Sequence, residues 1–296
     1  MKNIVWITVF LCCFTNHIFG QITDEIQEDR QQENQLTVKY KQIDTVELYL
    51  YIYYPPDYSK KKKYPAIVFY FGGGWKWGSY KQFEPHAKYF ADRGMIGILV
   101  DYRVKNKHKT TPFDAVKDAK SSIRFLRGNA KELRINRKKI VAAGGSAGGH
   151  LAAAAGNIIG LEEDGEDLSI SSSPDALVLF NPVFDNGPQG YGYDRIGERY
   201  KDISPIHNIR KGAPPTIVFL GTADVLIPVE TALTYKNKME EVGSRCDLFL
   251  YKDQKHGFFK FEDEFYKKTL YETDMFLVSL GYLKGEPTFT IENQVD

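Results

Sequence analysis

The sequence predicts an α/β fold: a mostly parallel central sheet with helices on both faces and a small cap insertion. Three observations carry this. First, short apolar runs recur along the chain: AIVFYF (66–71), MIGILV (95–100), KIVAA (139–143), ALVLF (176–180), TIVFL (216–220) and DLFLY (247–251). They are continuous rather than alternating, as strands covered on both faces require. Second, helical patterns lie between most of them, and strand–helix alternation builds a parallel sheet through right-handed crossovers. Third, 296 residues at 43% hydrophobic can bury one large core.

Taken in order, the first twenty residues read as an export signal. Lys2 supplies a positive start, Ile4 to Phe14 is an apolar run too short to span a bilayer, and Ile18-Phe19-Gly20 ends small. Cys12 and Cys13 raise a lipid anchor, but Leu11 before them does not fit an attachment site. The expectation is a periplasmic or secreted protein cut after Gly20. Cys246 is then the one cysteine left, and no internal disulfide forms. Residues 21–35 are polar and read as a leader. Residues 36–296 then form a single domain.

LTVKYKQI (36–43) and TVELYLYIYY (45–54) alternate and carry β-formers, which predicts an antiparallel pair turning near Asp44. The run Lys60 to Lys63 reads as a solvated loop. Thr111-Pro112-Phe113-Asp114 marks a helix start, with a capping hydroxyl, an early proline and a returning carboxylate. Further helices are expected from Pro228 to near Gly243 and over Glu262 to Leu280, with a loose tail after Gly285. Two irregular segments remain, the acidic loop 161–174 and the Gly- and Tyr-rich insertion 183–205. Both are expected near the carboxyl ends of the strands, where ligands of such sheets bind. A formal net charge of +1 excludes a nucleic-acid binder, which needs a concentrated basic surface.

Gly144-Gly145-Ser146-Ala147-Gly148 follows the strand KIVAA and precedes the Ala-rich helix HLAAAAGNI. That is the strand–turn–helix setting of a nucleophile elbow, where glycines make room for a strained serine. A serine hydroxyl needs a base, and the base needs an orienting acid. Asp224 follows TIVFLGTA, and His256 follows DLFLYKDQK. Both stand just beyond strands, in the chain order that this elbow requires. Asp185 is the rival acid. His86, His108 and His207 have no strand end beside them, and His150 reads as a packing residue on the elbow helix. Cys246 reads as core. No His or Cys spacing suggests a metal site. Gly72-Gly73-Gly74 also follows a strand, so the Gly73 and Gly74 N–H groups, with that of Ala147, are candidates for an oxyanion hole.

Together FGGGW, GGSAGGHLA, PPTIVFLGTADVLIP and HGFF resemble the α/β-hydrolase serine esterases of the carboxylesterase and hormone-sensitive-lipase-like group. Secreted bacterial acetyl xylan and feruloyl esterases are the most similar in kind. The resemblance spans roughly residues 46–281. It implies Ser146, Asp224 and His256 as a catalytic triad, no cofactor, and a small acyl ester or acylated saccharide as substrate. It implies neither nucleic acid nor a membrane span. Two departures stand out: Phe71 occupies the place of a histidine that supports the glycine loop, and Gly145 that of an acidic residue. Trp75, Trp77, Tyr191 and Tyr193 are expected near the site, where rings can stack on sugars. The alternatives are a peptidase or lipase of the same fold, or a non-catalytic binding protein on a hydrolase scaffold.

Overall fold

The computed structural model describes residues 35–290. The expected signal, residues 1–20, and the leader up to residue 34 lie outside the described residues. Gln35, assigned to the leader by sequence, instead opens the first strand.

Strands β1 (Gln35–Ile43) and β2 (Val46–Tyr53) pair antiparallel across a turn at Asp44. They are followed by β3 (Tyr64–Tyr70), β4 (Ile96–Val100), β5 (Ile135–Gly145), β6 (Ala176–Phe180), β7 (Thr216–Gly221) and β8 (Cys246–Tyr251). The sheet order is β1-β2-β4-β3-β5-β6-β7-β8. β2 runs antiparallel to β4, and every pairing from β4 to β8 is parallel. The apolar runs are therefore the parallel strands, buried as their composition demands.

Helices α1 (Glu84–Asp92), α2 (Pro112–Gly128), α3 (Ala147–Asn157), α4 (Val229–Glu241) and α5 (Tyr266–Ser279) cover both faces. Val116 and Leu151 of α2 and α3 pack in one buried cluster; Phe90 and Leu270 of α1 and α5 pack in another. The capping signal before α2 works as read: the Asp114 carboxylate accepts from the Thr111 N–H at 2.8 Å and its hydroxyl at 2.7 Å. α5 begins at Tyr266 rather than Glu262 because the Asp263 side chain takes the Phe265 N–H at 3.0 Å, which favours a turn over a helix there. The tail is not loose as far as Phe289, whose ring packs on Tyr89 and Tyr271.

The acidic loop is not part of the cavity described below. Its Glu163 binds Lys41 at 2.8 Å and Arg103 at 2.9 Å, and both of those cations bind Asp118 of α2. Burial pushes the Glu163 carboxyl up, but hydrogen bonds and charge from Lys41 and Lys117 outweigh it and hold the group at about 2. The loop is thus pinned by ion pairs, and its length reflects that tie.

Candidate active site

A parallel sheet delivers the carboxyl ends of its strands to one edge. Here Gly72 lies two residues past the end of β3, Ser146 directly follows β5, Asn181 directly follows β6, and the loops after β7 and β8 hold Asp224 and His256. A cavity of about 580 Å³ opens at this edge, bordered by Gly73, Gly74, Ser146, Asn181, Tyr191 and His256 among others.

Ser146 has φ 55° and ψ −118°, an uncommon conformation for a residue with a side chain. The turn is forced by close approach. A Cβ on Gly148 would stand 2.0 Å from the Tyr70 carbonyl oxygen, and one on Gly144 would stand 2.5 Å from the backbone of Gly148. Only glycine lets α3 start against β3 and β5 at this distance. Gly145 has a similar reason: the Phe259 ring occupies the space where a side chain would go. Phe259 in turn stacks on Phe83 and Phe180, which anchors the loop that carries His256.

His256 and Asp224 meet. His256 Nδ1 stands 2.7 Å from Asp224 Oδ2, with the carboxylate fully buried and the imidazole side chain 22% exposed. Asp224 Oδ1 accepts from the Leu226 N–H at 2.9 Å and the Ile227 N–H at 3.1 Å. One oxygen is therefore held by the loop while the other is left for the imidazole. Asp185 is elsewhere: its carboxylate takes the Gly187 N–H at 2.8 Å and lies 4.0 Å from His207.

The glycine loop is tightly set. Gly73 has φ 123°, and a Cβ there would lie 1.9 Å from the Trp77 carbonyl oxygen. The Gly73 carbonyl accepts from the Lys76 and Trp77 N–H groups, and the Gly72 N–H donates to Gln82 Oε1 at 2.6 Å. Among the described residues, no backbone acceptor takes the N–H of Gly73, Gly74 or Ala147. Phe71, in the place of the resembled family's histidine, stacks on Tyr102, whose hydroxyl donates to the Phe71 carbonyl at 2.7 Å.

Among the described residues, His86, His108, His150 and His207 do not border the cavity. His150 is fully buried, with Nε2 2.9 Å from the Ile203 carbonyl and its ring edge-on to Trp75. Burial pushes its pKa down to about 4, and that of His86 to about 3. The Cys246 thiol is pushed up to about 12 by burial, so it is a core residue and no nucleophile at neutral pH. Of the four rings expected near the site, Trp77 and Tyr191 border the cavity. Trp75 is 2% exposed and packs beneath, while Tyr193 turns its hydroxyl to Glu198. Among the described residues, no group of three or more His, Cys, Asp or Glu side chains is placed to hold a metal ion.

Sequence reasoning passed over Asn181. It is fully buried, has φ 32°, and places Nδ2 3.3 Å from both ring nitrogens of His256. Equal distances put the amide against the ring face rather than in its plane. The signal was available: Asn181 directly follows the run ALVLF, the same kind of strand end that singled out Ser146.

This edge can be set against known proteins. The family model described as BD-FAE matches residues 50–183, and that of the prolyl oligopeptidase family matches residues 175–279. The solved structure of propionate-bound esterase 2 from Thermogutta terrifontis is 44% identical, covers 86% of this chain and 97% of its own, and superposes with a TM-score of 0.82. The chain belongs to the α/β-hydrolase esterases. Among curated relatives, esterase LipC of Mycobacterium tuberculosis is 30% identical over 61% of this chain. The acetylxylan esterase of Xylanibacter ruminicola is 27% identical over 67% of it. The chain spans about half the length of these two relatives, 49% and 43% respectively. Within the α/β-hydrolase esterases, then, this chain places a serine elbow, a histidine–carboxylate pair and a glycine loop on one cavity.

Proposed function

We propose that this chain is a serine esterase acting outside the cytoplasm, and that it removes short acyl groups, acetyl above all, from carbohydrates. One observation carries the reading: Ser146 borders the same cavity as a histidine bound to a buried carboxylate, beside a glycine loop with free N–H groups. In this reading His256 takes the Ser146 proton as the hydroxyl oxygen attacks the ester carbonyl. Asp224 holds the imidazole in one tautomer and stabilises the imidazolium. The N–H groups of Gly73, Gly74 and Ala147 receive the charge that builds on the carbonyl oxygen. His256 then protonates the leaving alcohol, and the acyl-enzyme is hydrolysed by a water that His256 activates.

Support for short acyl groups comes from the cavity, about 580 Å³ in volume, and from an insertion with no long helix to roof an apolar tunnel. The Thermogutta terrifontis relative has been solved with propionate and with butyrate bound. An acetylxylan esterase among the relatives, Trp77 and Tyr191 at the cavity, and the export-like pattern of residues 1–20 favour an extracellular acylated saccharide. A peptidase reading draws on the prolyl oligopeptidase match over residues 175–279, the part carrying Asp224 and His256.

The test is kcat/KM along a series of p-nitrophenyl esters from acetate to palmitate, with Ser146→Ala as control. Acetate to butyrate should lead the series, and Ser146→Ala should lower turnover by ~10⁴ or more while folding normally. A maximum at eight carbons or beyond defeats the carbohydrate reading. Faster cleavage of a prolyl amide than of any ester favours the peptidase.

A further inference from the structure

The glycine loop cannot hold its own shape. Gly73, Gly74 and Trp75 have φ of 123°, 62° and 58° in succession, and positive φ at a tryptophan is a strained choice. Two consecutive glycines add backbone freedom that must be removed from outside. Most of the anchors come from the loop itself and from nearby turns: Gln82 takes the Gly72 N–H, while the Lys105 N–H donates to the Trp75 carbonyl. The Gly74 carbonyl is held differently. It accepts from Arg195 Nη1 at 2.7 Å, and Arg195 belongs to the insertion 183–205.

The Arg195 side chain is 11% exposed. Its guanidinium lies 4.9 Å from the Tyr191 ring centre and 5.4 Å from that of Trp75. Its carboxylate partner is Asp194, 3.3 Å away and 72% exposed. A cation this enclosed is costly to desolvate for one carbonyl and one solvated carboxylate, unless the carbonyl's position matters. The peptide plane explains why it matters. The Gly74 carbonyl shares its planar unit with the Trp75 N–H, while the Gly74 N–H belongs to the unit before it, so holding this carbonyl fixes the torsions at Gly74 that join the two units. The Gly74 carbonyl is directed to the Arg195 guanidinium, which is not among the groups that border the cavity. Rotation of that peptide would aim a carbonyl dipole at the space where an oxyanion forms, and would repel it.

We propose that Arg195 is a positioning residue for the oxyanion hole, holding the Gly74 carbonyl out of the cavity from the insertion. It does from the cap what the resembled family's histidine, replaced here by Phe71, does from the strand end. The proposal rests on the reading of Gly73 and Gly74 as oxyanion donors.

The experiment compares the full chain with Arg195→Met and Arg195→Lys. It measures kcat and KM for p-nitrophenyl acetate and the inhibition constant of butylboronic acid, whose serine adduct is a tetrahedral anion. Circular dichroism and thermal midpoints establish folding. For Arg195→Met, kcat should fall ~10- to 100-fold, less than the 10²- to 10³-fold of deleting a donor outright, with KM within about threefold. Boronate binding should weaken in the same proportion. Arg195→Lys, which keeps the cation, should recover part of both. Turnover and boronate affinity within twofold of the native chain in a folded variant overturn the proposal, as does a rise in KM alone. If the methionine variant does not fold, Arg195→Gln, which also removes the cation, decides by the same two readouts. Ser146→Ala separates the layers: hydrolysis surviving that change fails the esterase reading itself. Loss there with an unaffected Arg195→Met fails only the positioning role.

Discussion

The cavity at the strand ends and the face where α2 meets the acidic loop are held together by opposite means. Around the cavity, Trp75, Ser146 and Asn181 all adopt positive φ, and Trp75 Nε1 and Asn181 Oδ1 are buried without a partner. On the α2 face, Asp118 is fully buried yet accepts from Lys41 Nζ at 2.7 Å, from the Arg103 N–H at 2.9 Å and from the Arg103 guanidinium. One region stores strain and unspent hydrogen-bonding capacity; the other spends its capacity fully. The difference teaches that anchoring a loop and shaping a site ask opposite things of buried polar groups. A site that must receive a transient charge keeps donors free and residues strained. A loop that only needs anchoring satisfies every charge it buries.

Substitutions can break this comparison, and the largest effect belongs to the cavity. Asp224→Asn should lower kcat by ~10³- to 10⁴-fold with little change in thermal midpoint, because the amide leaves the imidazole in the wrong tautomer. Asp185→Asn should stay within a few-fold, since Asp185 faces His207. A reversed ranking of the two kcat values would defeat the assignment. Next comes the α2 face. Asp118→Ala leaves Lys41 and Arg103 with Glu163 as their remaining close carboxylate and should cost about 3 kcal/mol in urea unfolding, with kcat of the folded fraction unchanged. A drop in kcat larger than the loss of folded protein would mean the two regions are not separable.

A smaller effect concerns pH. His86 is buried among Phe83, Phe180 and Tyr266 with neither ring nitrogen partnered, and burial pushes its pKa from 6.5 to about 3. A pKa depressed on folding means the unfolded chain binds the proton first. Stability from the neutral ring is complete above 6.5 and is lost as pH falls from there towards 3. At pH ~5 the loss is about 2 kcal/mol for His86, and similar for His150. His86→Phe should flatten the stability profile between pH ~7 and ~4.5; an unchanged slope there would contradict it. The smallest effect belongs to Asn181. Asn181→Ala should lower kcat about tenfold with KM within about threefold, because the amide faces the imidazole. A kcat loss matched by an equal loss of folded protein would assign Asn181 to packing alone.

What was legible in the chain follows from the range of the forces involved. Continuous apolar runs reported burial on both faces, and so marked the strands. The Thr111 cap reported its helix because capping is a contact three residues long. The positions of Ser146, Asp224 and His256 beyond their strands needed only the rule that parallel strands share one carboxyl edge. Tertiary structure decided the rest, where partners are far apart in sequence. Asp224 and not Asp185 meets His256, because β7 and β8 are neighbours in the sheet and bring the loops after them together. Trp75 turns inward under the insertion instead of lining the cavity. The acidic loop stays out of the cavity, with its Glu163 bound by Lys41 and Arg103, more than fifty residues earlier. Arg195 reaches back across 121 positions to one glycine carbonyl. Periodicity and local caps are written in neighbouring residues, so sequence alone determined the parallel strands, the start of α2 and the order of the site residues. Ion pairs, ring stacking and carbonyl contacts depend on which distant surfaces the sheet brings together, and only the folded chain decided those.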